Sequence, residues 1–242
     1  MKILALETST EYCSVALWQG EAGQNGATTQ HFELVGQKHS ELLIAMVDKL
    51  LQETGFKIGD MDGIAYGSGP GSFTGVRIAC GATQGLALGA GLKVSGICTL
   101  QALAQGTGQP RVIAALDARM GEIYCAAYEK QGDDWVTVFE PCLCKPADAP
   151  PVSGEGWFGV GSGFAAFADV LQSRYAGQLA GMDAAAVPQA ASIAELGAIQ
   201  FAGGLSVDAA LAQPFYLRDK VAFKTAEREQ IALQKSLLIN KL

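Results

Sequence analysis

Between residues 67 and 75 the chain reads Gly-Ser-Gly-Pro-Gly-Ser-Phe-Thr-Gly, and this stretch narrows the possible folds more than any other. Ile64-Ala65-Tyr66 before it reads as the end of a buried strand, and a helix follows to about Gly91. Glycine reaches backbone angles closed to other residues and Pro70 fixes one angle, so the turn is sharp and specified. Ser72 or Thr74 can cap the helix by accepting a bond from a free amide. A glycine turn from strand into helix is a usual place to hold phosphate or another anion. The plain alternative is a tight turn that packs backbone closely, and both readings stay open. The familiar motifs fail. A Walker loop needs Gly-Lys-Ser/Thr where this chain has Thr74-Gly75-Val76. The dinucleotide fingerprint needs glycine at Thr74, and a nucleophile elbow around Ser72 needs glycine at Pro70.

At 100° per residue the helix after the turn has two apolar faces. Val76, Ala79, Thr83, Leu86, Ala87 and Ala90 share one, and Ile78, Gly81, Gly85, Leu88 and Gly89 lie on the other. A helix apolar on both sides is expected to be covered on both sides. Gly81, Gly85 and Gly89 each cost about 1 kcal/mol of helix propensity. Their spacing therefore predicts close approach of another backbone, in this chain or in a partner. A second predicted helix, from His39 to Thr54, carries the stripe Leu42, Leu43, Met46, Val47, Leu50 and Leu51.

Composition sets wider bounds. A chain of 242 residues, 49% hydrophobic and 17% charged, can bury a substantial core and is not a disordered sequence. The first apolar run stops at Glu7, and the longest charge-free stretch, 94–110, is interrupted by Gln, Gly, Thr and Pro. Neither a leader nor a membrane span is expected, and the expected location is the cytoplasm. The six cysteines lie mostly within apolar runs and read as reduced, buried thiols. Cys142 and Cys144 share a strand face, but linear spacing offers no second ligand pair, so no metal is expected. The net charge of −7 argues against nucleic-acid binding by the chain alone.

In order, strands are predicted at 2–6, 13–18, 27–35 and 62–66, with the 39–54 helix before the last. The plan then repeats. Arg111-Val-Ile-Ala-Ala-Leu-Asp117 echoes Lys2-Ile-Leu-Ala-Leu-Glu7, and Glu122-Ile-Tyr-Cys-Ala-Ala127 echoes Glu11-Tyr-Cys-Ser-Val-Ala16. The strand with Phe139-Glu140 echoes the one with Phe32-Glu33, and Gly159-Val-Gly-Ser-Gly163 leads into an Ala-rich helix. Such repetition implies two similar lobes. The expected division is 1–100 plus about 205–220 for the first lobe, 101–204 for the second, and a tail from 221. Ser192-Ile-Ala-Glu195 predicts a capping box for a helix ending at Gly203-Gly204, and 214–218 a last short strand.

With two histidines only, His31 and His39, neither a hydrolase triad nor a histidine-pair metal site can be assembled. Glu7, Asp117 and Arg119, at the ends of the paired first strands, remain as candidates for a polar nucleotide or inter-subunit site. Two carboxylates facing one cleft would suit Mg²⁺ and nucleotide; alternatively they cap turns.

Several of these stretches together resemble the bacterial TsaB (YeaZ) family: Ile3-Leu-Ala-Leu-Glu-Thr-Ser9, Lys38-His-Ser-Glu41, the 67–79 glycine motif, Leu116-Asp-Ala-Arg119 with Gly121-Glu122, and Tyr216-Leu-Arg218. The resemblance covers about 1–220. It implies an α/β, duplicated two-lobe actin-like and sugar-kinase-like fold of the ASKHA, RNase H-like group. It further implies a non-catalytic partner of TsaD in making threonylcarbamoyladenosine beside the tRNA anticodon, together with the ATPase TsaE. On that basis the chain has no catalytic residues and no cofactor of its own, with ATP or ADP bound only in the complex. It would be a homodimer when alone and would meet tRNA only through the complex. The partner interface would use Leu42, Met46, Leu50, Ile78, Gly81, Gly85 and Gly89. The sister TsaD family carries a His-x-x-x-His metal site after the corresponding helix, and this chain has Ser95-Gly-Ile-Cys-Thr-Leu-Gln-Ala-Leu103 there. The alternative is an enzyme in its own right, an ATP-dependent phosphotransferase or an M22 glycoprotease-like hydrolase of the same fold.

Overall fold

The computed structural model describes residues 1–24, 26–132 and 134–218. The tail expected from 221, with Lys224 and Arg228, lies outside the described residues. The first part runs β1 (Lys2–Glu7), β2 (Tyr12–Gln19), β3 (Ala27–Leu34), α1 (His39–Thr54), β4 (Gly63–Gly69), α2 (Phe73–Ala90), β5 (Lys93–Cys98) and α3 (Thr99–Gly106). The second runs β6 (Arg111–Arg119), β7 (Glu122–Gln131), β8 (Asp134–Cys144), β9 (Trp157–Val160), α4 (Ser162–Ala166), α5 (Ala168–Arg174), β10 (Leu179–Asp183), α6 (Ala190–Ala202) and β11 (Val207–Asp208).

The two sheets share one topology. The first is ordered β11-β5-β4-β1-β2-β3 and the second β10-β9-β6-β7-β8. In each, the leading strand is antiparallel to the next and parallel to the strand before the glycine turn, as in Leu6↔Val15 with Leu6↔Tyr66, and Ala114↔Ala126 with Ala114↔Val160. This is a duplicated two-lobe α/β arrangement, as expected. The copies differ in their helices. A single 3-10 turn, Pro146–Asp148, stands where α1 stands in the first lobe, and the counterpart of α2 is broken at Phe167 into α4 and α5.

β1 is buried on both faces, so its alternation sorts residues between two cores rather than between core and water. Leu4 and Leu6 face α1 and α2, meeting Leu43, Met46, Val47, Leu50 and Ala79. Ile3 and Ala5 face α6, meeting Ile193, Ala194 and Ala198. The division expected from sequence grouped α6 with the second lobe, yet it lies on the first sheet. Conversely α3, which follows the first sheet, packs Leu100, Leu103 and Ala104 against Val112, Ala114 and Leu116 of β6. Each lobe's closing helix thus covers the other lobe's sheet.

Two local expectations are corrected. α6 begins at Ala190, so Ser192 is not its cap and no capping box forms. The first amides are satisfied from the sheet instead: Ser14 Oγ accepts from Ala190 N at 2.7 Å and Gln30 Oε1 from Ala191 N at 2.7 Å. Glu195 accepts from Gln105 Nε2 of α3 at 2.7 Å. Residues 214–218 form no strand, because their polar backbone is matched at scattered points, among them Phe215 N to Ser68 O at 2.7 Å. Among the described residues no helix is long and apolar enough to cross a membrane.

Candidate functional site

The glycine turn is filled by its own chain. Ser72 caps α2, accepting from Gly75 N at 3.3 Å, while its own amide donates to Ser9 O at 2.7 Å. Thr8 Oγ1 donates to Gly75 O at 2.7 Å. A Cβ on Gly67 would collide with the Glu7 carboxylate, and one on Gly75 with the Thr8 carbonyl. The glycines therefore let the 7–9 segment lie directly on the turn, which is the close-packing reading of the motif. Glu7 is 1% exposed. Its Oε1 accepts from Ser9 N at 2.5 Å, but its Oε2 and Ser9 Oγ have no partner among the described residues. Burial raises the Glu7 pKa to about 7, with Ser9 offsetting part of the rise.

Asp117 and Arg119 meet each other rather than Glu7. Asp117 Oδ1 accepts from Arg119 N at 2.8 Å, and Oδ2 pairs with Arg119 Nη1 at 3.1 Å. Arg119 and Met120 both take positive φ, at 63° and 60°, in the turn from β6 to β7, and the Arg119 side chain is 86% exposed. Arg218, not singled out as a site residue from sequence, organises that turn. It donates to Ala118 O at 3.1 Å and pairs with Glu122 at 2.8 Å. Before reaching it, the chain from Ala212 is stitched to the first lobe through Gln84, Tyr66 and Ser68. The strap 212–218 so joins both lobes. Only the motif Tyr216-Leu-Arg218 hinted at it.

Under the strap lies a cleft lined by Pro70, Phe73, Tyr124, Phe215, Tyr216 and Arg218. Arg77 borders it, stacked 3.5 Å above the Phe73 ring and donating to Tyr216 Oη at 2.6 Å. The cavity is about 40 Å³, against roughly 300 Å³ or more for small-molecule sites, and none of Glu7, Asp117 and Arg119 lines it. Both histidines are engaged elsewhere, His31 with Glu53 at 2.7 Å and His39 with Tyr12 O at 3.0 Å.

The expected partner face divides. Met46 and Leu50 are buried beneath the sheet, and Leu42 and Ile78 are half-buried at the edge of the same core. The reason is orientation: the apolar stripe of α1 faces β1 and β2, not outward. Gly81, Gly85 and Gly89 are exposed, with nothing within 4 Å of where a Cβ would stand. Leu88 beside them is 62% exposed, and Ile44 on α1 is 50% exposed. Among the described residues, therefore, nothing packs on the α2 glycines. The expectation that no ligand cluster exists is also corrected, because Cys125 on β7 joins Cys142 and Cys144 of β8 across the ladder.

Comparison with known proteins decides the family. The TsaD family, described as tRNA N6-adenosine threonylcarbamoyltransferase, matches residues 31–225. The tRNA threonylcarbamoyladenosine biosynthesis protein TsaB of Escherichia coli K12 is 40% identical over 234 residues, covering 93% of this chain and 97% of that protein. The chain belongs to the TsaB family. The Haemophilus influenzae TsaB is 35% identical over 237 residues, covering 93% and 96%. The solved structure of YeaZ from Pseudomonas aeruginosa superposes with a TM-score of 0.81 at 37% identity, covering 89% of this chain and 99% of that one. A second Pseudomonas aeruginosa structure, described as an uncharacterized protein similar to peptidase YeaZ, gives the same TM-score of 0.81. In this member of the TsaB family the glycine motif packs around Glu7-Thr8-Ser9.

Proposed function

We propose that this chain is the non-catalytic subunit that docks onto a TsaD-like threonylcarbamoyl transferase and is required for its activity in tRNA modification. The observation that carries the reading is the exposed Gly81–Gly85–Gly89 face of α2. Three glycines weaken the helix with no contact from the other described residues in return, and a partner helix resting on bare backbone offsets that cost. The same face on a second copy accounts for a homodimer of the chain alone. ATP or ADP is held only where the partner completes a site, and a TsaE-like ATPase joins the assembly. A chain of net charge −7 meets tRNA through the complex rather than by itself.

The test is Gly85→Trp, examined by size exclusion, thermal melting and co-purification with the TsaD-like chain. Since nothing stands near that position, the variant folds and melts as the wild type does, but no longer associates. A variant that still binds its partner with unchanged affinity overturns the reading. The phosphotransferase alternative is tested separately by equilibrium dialysis of ATP with the isolated chain and Mg²⁺, where no binding is expected.

A further inference from the structure

We propose that Cys125, Cys142 and Cys144 form a binding site for one thiophilic metal ion, Zn²⁺ or Cu⁺. Cys125 and Cys142 are direct partners in the β7–β8 ladder, and Cys144, two residues on, shares the face of Cys142. Cys125 Sγ lies 3.6 Å from each of the other two sulfurs, and all three fall within 4.8 Å of one another. With a metal–sulfur bond of about 2.3 Å, ligand sulfurs stand about 3.8 Å apart around a tetrahedral ion and about 4.0 Å apart around a trigonal one. Two of the three separations already lie close to that value, and the third is within 4.8 Å. A disulfide would use only two of them and leave the third idle.

The surroundings suit a soft ion. No carboxylate or imidazole completes the group among the described residues, so Mg²⁺ and Ca²⁺, which take oxygen ligands, find none in it. Three thiolates complete a trigonal Cu⁺ site, and Zn²⁺ takes a water as fourth ligand. Cys125 is buried among Ile123, Phe164 and Tyr175, whereas Cys142 and Cys144 are half-buried, leaving an outer side by which an ion can enter. Tyr124 lines the inter-lobe cleft, while Cys125, next in sequence, belongs to the core on the opposite face of the sheet. The site is therefore separate from the cleft and the α2 face. A bound ion ties β7 to β8 and stabilises the second lobe by mass action.

The experiment uses the full chain, reduced with a phosphine, stripped with a chelator, and then given Co²⁺ as a spectroscopic stand-in for Zn²⁺ or, in a second arm, Cu⁺ under argon against a chromophoric competitor. The expected result in at least one arm is one ion per chain by native mass spectrometry, with a higher melting temperature. In the cobalt arm a thiolate-to-cobalt charge-transfer band reports the sulfur ligands. Cys142→Ser and Cys144→Ser, changes at half-buried positions, lose the ion. Failure of the reduced wild type to retain either ion overturns the proposal, as does retention unaltered in both variants. If the variants do not fold, wild-type stoichiometry and ion-dependent protection from alkylation decide: Cys142 and Cys144, half-buried in the absence of an ion, becoming protected when it is bound supports the site, and their unchanged reactivity overturns it.

Discussion

Glu7 titrates where a charge is poorly accommodated, and the consequence can be measured. Its pKa moves from 4.5 to about 7 on folding because burial disfavours the carboxylate. The folded state therefore holds the proton more tightly than the unfolded one. The stability this contributes is full below about pH 4.5, declines as pH rises toward 7, and is absent above it. A shift of this size corresponds to about 3 kcal/mol. Melting of Glu7→Gln against wild type across this range is expected to show the variant gaining relative stability as pH rises; a constant difference would contradict it. Gly67→Ala, which drives a methyl group into the same carboxylate, is expected to lower the melting temperature sharply. Arg119 gives the opposite sign. It holds a left-handed backbone, so Arg119→Gly removes about 1 kcal/mol of strain and the melting temperature does not fall. If Arg119 belongs to a polar site between chains, the same variant lowers tRNA modification by the assembled complex.

At the level of elements, α2 separates two roles that its sequence holds together. Its Val76–Ala79–Thr83–Ala87 face is buried under the sheet, and its glycine face is open. Replacing Gly81, Gly85 and Gly89 singly by Ala is expected to raise stability by up to about 1 kcal/mol each, since propensity improves and nothing is struck. The same changes weaken association with the partner or a second copy. Falling melting temperatures would show that the glycines serve this chain's own packing. The helix and its two faces were legible in the 3.6-residue period, but which face the sheet takes was not, because period alone does not orient a helix. The same limit applies to α1, whose stripe of Met46 and Leu50 was assigned to a partner and is core. For α6, the capping box failed because Ser14 and Gln30, distant in sequence, supply the acceptors.

Across the whole molecule, the exchange of closing helices makes the two sheets interdependent. A fragment ending at Gly106 would leave Ile3, Ala5, Ala65 and Ile97 without the cover of α6. It is expected to show no cooperative melt, whereas the full chain melts in one transition by circular dichroism and calorimetry. A fragment that folds alone would mean that α6 is dispensable to the first sheet. The strap 212–218 adds a second tie, through Arg218 to the 118–122 turn.

By itself the sequence determined the duplication, the first three strands of each lobe, the glycine turn and the family, because these rest on local pattern: apolar alternation, glycine spacing and repeated order. Only the tertiary structure decided what depends on which segments meet. It placed Glu7 on Gly67, Arg218 on the β6–β7 turn, α6 on the first sheet, and Cys125 beside Cys142 and Cys144. Each of these joins residues whose separation along the chain carries no trace of their contact, since strand pairing and helix packing set distances that sequence spacing does not encode.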